Sequence, residues 1–153
     1  MEHGPRRRLV AVVVVAGLVP WTVLLIGDEL TLVFSFGLFN TNPPNVVSVY
    51  DFFFRFTDGL PRFIEAWGTG VILYLLALGS AVAGVVWRED VRLTAFALVA
   101  AGLSQISVFL GFNRRIGYAG FPLGTVVLLA VVWWFYWPSV REAGVFGVDT
   151  DYE

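Results

Sequence analysis

Side chains able to do chemistry are few in this chain and fall in separate places. Arg114 and Arg115 are adjacent in a segment that Asn113, Gly117, Gly120 and Pro122 mark as a loop, and Arg62 and Glu65 stand three residues apart elsewhere. Guanidinium groups fork onto phosphate or carboxylate. Arg62, Arg114 and Arg115 are therefore candidates for a lipid headgroup or for nearby acids such as Asp28, Asp51 and Asp58. Glu65 is the acid that could serve a reaction on such a headgroup. A third candidate, Gln105, lies with Ser104 and Ser107 inside a long apolar run. An amide in hydrocarbon needs partners, so it either hydrogen-bonds between helices or lines a polar path.

Other chemistries lack their residues. Cysteine is absent and His3 is the one histidine, which removes thiol chemistry, cysteine-ligated metals and a Ser-His-Asp triad across the membrane. No cofactor or metal motif occurs, and neither group is expected. The apolar runs carry no Asp, Glu, Lys or His at depth, so a proton-coupled carrier lacks the group that would change charge.

The elements that must position these residues are read from the apolar runs. Of 153 residues 58% are hydrophobic and 14% charged, against roughly 45–50% and about 25% in ordinary soluble domains. The apolar residues come in unbroken runs, which points to lipid as their solvent. All ten basic residues are Arg, twelve residues are acidic, and the net charge is −2. The arginines form short separate groups, and no stripe of them could follow a nucleic-acid backbone.

Four runs predict membrane spans at about residues 9–27, 67–87, 91–112 and 121–137. The first follows Arg6, Arg7 and Arg8. It could be taken for a signal peptide, but no small-residue cleavage pattern precedes Asp28. Pro20 predicts a kink within it. The connection 28–66 is too polar and too broken to cross the membrane. From 46 to 56 its apolar residues suit a short helix lying in the headgroup layer. Arg88, Glu89 and Asp90 form the turn of a helical hairpin, with Asp90 capping the next helix. Residues 139–153 predict an acidic, mobile tail.

The expected fold is all-α: a transmembrane bundle of four helices with an interfacial helical segment between helices 1 and 2. Six arginines (6, 7, 8, 88, 92, 141) then share a side with both termini, against four (55, 62, 114, 115) on the other, which places both termini in the cytoplasm.

The strings RRRLVAVVVVAGLVPWTVLLIGDELTLVFSFGLFNTNPP, FFFRFTDGLPRFIEAWGTGVILYLLAL and NRRIGYAGFPLGT before VVWWFYWP resemble a family of small four-span membrane proteins of halophilic archaea. The resemblance covers nearly the whole chain. It implies a cytoplasmic-membrane location and carries no active site. The expected function is non-enzymatic: a subunit or accessory protein of a larger membrane complex or a homo-oligomer, with the lipid bilayer as a partner and no nucleic acid. The small pairs Ser80/Gly84, Ala97/Ala101 and Ser107/Gly111 support close helix packing. Two alternatives are an oligomeric transporter or channel lined by Ser104, Gln105 and Ser107, and a lipid-acting enzyme at the outer face using Arg114, Arg115 and Glu65.

Overall fold

Pro20 has no N–H and disfavours a helical conformation in the residue before it. In the computed structural model, which describes residues 3–55 and 58–142, helix α1 accordingly runs His3–Leu18 and stops there. The rest of the first apolar run is strand. Thr22–Ile26 forms β1, Gly27 takes φ +61°, and Glu29–Val33 returns as β2 with Ile26 opposite Glu29. Gly27-Asp28 thus makes a two-residue hairpin with its glycine in the first central position, as a II′ turn requires.

Two more strands complete a meander. Gly37–Thr41 is β3 and Pro44–Ser48 is β4, joined through Asn42 and a cis Pro43. Tyr118–Phe121, β5, pairs with β1 from the other side, so the antiparallel order is β4-β3-β2-β1-β5. Proline at the start of β4 sits on an edge, where a missing donor costs least. Ser48 caps the short helix α2, Val49–Phe54, by accepting from the Asp51 amide at 3.1 Å.

Three helices are long and apolar enough to cross a membrane: α3 Arg62–Val86, α4 Val91–Asn113 and α5 Leu123–Glu142, of 25, 23 and 20 residues. At 1.5 Å per residue each reaches about 30 Å or more. Asp90 caps α4 by accepting from the amides of Arg92 and Leu93, and α3 and α4 form the antiparallel hairpin expected of that turn. Helix α5 contains one π-helical turn, Val132–Tyr136, which leaves Trp133 and Trp134 exposed and Tyr136 buried. Helix α1 runs antiparallel to α3, with Tyr74 Oη donating to the Val13 carbonyl at 2.8 Å and Arg6 to the Gly84 carbonyl at 2.9 Å. Against α5, Arg8 lies 5.9 Å from the ring centre of Phe135.

The all-α expectation is therefore wrong, and so is the four-helix bundle. A five-stranded sheet occupies the stretch expected to hold the end of the first span and its loop, making the fold mixed α/β. The physical cause is local. The run 9–27 has the apolar content of a span, but its second half reads Thr-Val-Leu-Leu-Ile before Gly-Asp, and β-branched residues followed by a hairpin turn favour strand. The interfacial helix shrinks to six residues, because Val46 and Val47 belong to β4. The tail from residue 143 onward lies outside the described residues.

Trp21 joins the two layers. Fully buried, it hydrogen-bonds through its backbone N–H to Val33 of β2 at 2.6 Å, through its carbonyl to the Gly124 amide of α5 at 2.7 Å, and through its indole to the Ala16 carbonyl at 3.0 Å. Its ring meets Tyr74 edge-on at 5.3 Å. The sheet is thereby fixed over one end of the helices, and the Trp87–Asp90 turn marks the other.

Candidate functional site

The period of two along each strand divides the sheet into two faces. Cross-strand register aligns Leu24, Thr31, Asn40 and Asn45 in one row and Thr22, Val33, Leu38 and Val47 in the next, all on the face toward the helices. Beneath this face Phe52 of α2, Ile64 and Trp67 of α3, and Val108 and Phe112 of α4 close a cavity of about 520 Å³. Ile26 and Tyr118 complete its wall on the β5 side. Trp67 is 2% exposed; its indole donates to the Phe34 carbonyl at 2.9 Å, and its ring stands 5.4 Å from both Phe52 and Phe53.

The cavity is apolar except along one row. Thr31 Oγ1 donates to Asn40 Oδ1 at 2.8 Å, and Asn45 stands directly across from Asn40 on β4. In the sequence Thr31, Asn40 and Asn45 fall in the connection 28–66, with Asn40 among its polar loop residues, and nothing there marks the three as neighbours. The signal that could have found them is the alternation Leu24/Ile26, Thr31/Val33, Leu38/Asn40 and Asn45/Val47 on either side of turn residues.

The arginines chosen from the sequence do meet. Arg62 opens α3, while Arg114 and Arg115 follow α4, and antiparallel packing brings the three to one open groove. Phe63, Ala66, Ser107, Leu110 and Gly111 form its floor. The Arg115 guanidinium lies 5.2 Å from the ring centre of Phe63, a cation–π contact. Gly111 admits Phe63, whose ring would collide with any Cβ there. Among the described residues the one ion pair is Arg55 with Asp51, 3.4 Å apart, so none of the three groove arginines is neutralised by a carboxylate. Glu65 is exposed one turn into α3 and does not line the groove.

Gln105 is placed differently. It is fully buried against Gly70 of α3, a residue that leaves no room for a Cβ beside the Gln105 amide and the Ser104 hydroxyl. Its Nε2 donates to Ser104 Oγ at 3.3 Å, and its Oε1 has no partner among the described residues. Ser104 in turn donates to the Ala101 carbonyl at 2.7 Å. Ser107 alone of the three faces outward, into the arginine groove. Gln105 and Ser107 therefore do not share a path. Gln105 serves the α3–α4 contact, where glycine lets backbones approach.

At the turn end a polar knot holds the hairpin. Thr94 Oγ1 is within reach of Ser80 Oγ at 2.8 Å, the Asp90 carbonyl at 3.1 Å and Glu89 Oε1 at 3.2 Å. Glu89 packs on Gly84. Burial holds its carboxyl above the usual range, against the opposing pull of Tyr136, Thr94 and Arg6. No group of three or more potential metal ligands occurs among the described residues.

A five-stranded antiparallel sheet seated on helices, three of them long and apolar enough to cross a membrane, places the chain among mixed α/β proteins compatible with a membrane setting. Over residues 1–145 the chain matches a family described as a domain of unknown function, DUF8050, and it belongs to that family. No curated protein and no solved structure matches it.

Proposed function

We propose that the protein is a non-enzymatic subunit or accessory component of a membrane complex or homo-oligomer, with the outward face of its sheet as the contact surface. The observation that carries this reading is a single apolar row across all five strands: Phe121, Val23, Leu32, Phe39 and Val46 are neighbours by register. Val46 is 67% exposed and Phe121 56%, and Leu25 beside them is 50% exposed. An antiparallel sheet facing water on one side normally alternates apolar inside and polar outside. Here both faces are apolar, and a contiguous patch of this kind marks a surface that another molecule covers.

The setting we propose is the cytoplasmic membrane of a halophilic archaeon, on the resemblance above and the all-arginine basic set. Both termini lie in the cytoplasm. Arg6, Arg7, Arg8, Arg88, Arg92 and Arg141 gather toward the turn end of the helices, and the positive-inside rule puts that end in the cytoplasm. The sheet then stands on the outer side.

The test is photo-crosslinking in native membranes from benzoylphenylalanine placed at Val46 or at Phe121, with Arg88 as the control position. The expected outcome is one discrete protein adduct from each sheet position and none from the turn. Monomer alone from both sheet positions contradicts the reading.

The groove of Arg62, Arg114 and Arg115 favours a second role, the binding of anionic lipid headgroups. Three unneutralised guanidiniums above an apolar floor suit a phosphate with its chains directed along the helices. With Glu65 outside the groove, the arrangement supports binding over catalysis.

A further inference from the structure

The cavity beneath the sheet differs in chemistry from both surfaces just described. Its volume of about 520 Å³ falls within the roughly 300–1,000 Å³ of small-molecule sites. Its deep walls are Leu24, Val33, Ile64, Trp67 and Val108, each at most 9% exposed. Toward the β4 edge of the sheet the wall becomes Thr31, Asn40 and Asn45, and there Asn45 is exposed. Polarity thus gathers on one row of the wall, from buried Thr31 through Asn40 to exposed Asn45 at the mouth, with the rest of the cavity apolar.

Two further facts restrict the occupant. Among the described residues no Asp, Glu, Arg or His lines the cavity, so a charged head would lose water without gaining a counter-charge. Asn40 Oδ1 is engaged by Thr31, while among the described residues its amide nitrogen and the whole side-chain amide of Asn45 have no partner. These amides at the mouth offer N–H donors and a carbonyl acceptor to one polar group of an occupant whose body fills the apolar depth. We propose that the cavity is a binding site for an uncharged amphiphile, a molecule with a long apolar body that lies along Trp67 and Val108 and a single hydroxyl or carbonyl oxygen held by Asn40 and Asn45. The arginine groove, by contrast, would take the phosphate of an anionic lipid, so the two sites select different lipid chemistries at the same end of the molecule.

The experiment is photolabelling of the full chain in liposomes with a diazirine-bearing long-chain alcohol, followed by peptide mapping. Adducts are expected on the cavity wall, at Trp67, Phe112 and Leu38. Excess 1-dodecanol should remove them, and excess dodecyl phosphate should not. The variant Asn40→Leu/Asn45→Leu should lower labelling by the alcohol about tenfold, the effect of losing a hydrogen bond of ordinary strength, and leave labelling by the matching diazirine alkane unchanged. Val47→Phe, which adds bulk at the wall, should reduce labelling by both probes. Adducts spread evenly along the exposed helix faces, or competition by dodecyl phosphate equal to that by 1-dodecanol, would overturn the proposal.

Discussion

Gln105 shows how one side chain changes meaning between sequence and structure. In the sequence it is the strongest polar residue at depth and could belong to a packing contact or a conduction path. In the fold it has zero exposure and, among the described residues, one long hydrogen bond and an unpartnered oxygen. Replacing this side chain by an apolar group of like size removes the unsatisfied oxygen at the loss of one long hydrogen bond, and Ser104 keeps its bond to Ala101. Gln105→Leu should therefore keep or raise the unfolding midpoint in detergent. Gly70→Val should lower stability by about 1–3 kcal/mol, because its added carbons must displace both Ser104 and Gln105. A conduction or ligand role for Gln105 would show instead as Gln105→Leu abolishing function at an unchanged unfolding midpoint. The arginines were readable as a group only in part. Their types implied an anion and the hairpin put all three on one side, but their meeting in one groove depends on how α3 and α4 pack at Phe63 and Gly111, which residue types do not encode.

At the scale of elements the helices were legible and the sheet was not. Residues 67–86 and 91–112 lie within α3 and α4 because long apolar runs on either side of Arg88-Glu89-Asp90 leave few alternatives, and the predicted span passes the end of α3 by one residue, Trp87. The run 9–27 has similar apolar content, yet it divides at Pro20 into α1 and β1. Hydropathy summed over nineteen residues cannot see that division. Pro20, the β-branched Thr22 and Val23, and Gly27-Asp28 can. Gly27 tests this directly, since its φ is +61° and nothing lies within 4 Å of where a Cβ would be. Gly27→Ala should cost about 1–2 kcal/mol, all of it from the left-handed backbone. Gly79, mid-helix in α3 with equally open space, should respond oppositely, Gly79→Ala gaining about 0.5–1 kcal/mol. Denaturation of both variants under identical detergent conditions checks the sign as well as the size. If residues 22–26 continued α1 as a helix, Gly27→Ala would stabilise too.

For the whole molecule, the sheet creates two of the three features on which a function can rest, and the helices α3 and α4 build the third. It roofs the cavity over Trp67, it turns a second apolar face outward, and through Trp21 it fixes the end of α1 against α5. The arginine groove opens beside it, at the same end of α3 and α4. The cavity and the outward apolar face were invisible from sequence because both depend on cross-strand register, which brings together residues as distant as Ile26 and Tyr118. The same pair offers the most direct test. The chain contains no cysteine, and Ile26 and Tyr118 flank the Gly27–Gly117 hydrogen bond at 3.1 Å, which makes them a non-hydrogen-bonded pair with Cα atoms about 4.5 Å apart, within disulfide reach. Mild oxidation of Ile26→Cys/Tyr118→Cys in native membranes should close an intramolecular disulfide, while Leu25→Cys/Tyr118→Cys, with side chains on opposite faces, should remain reduced. Free thiols in the first variant, or equal crosslinking in both, would contradict a sheet at this end of the protein.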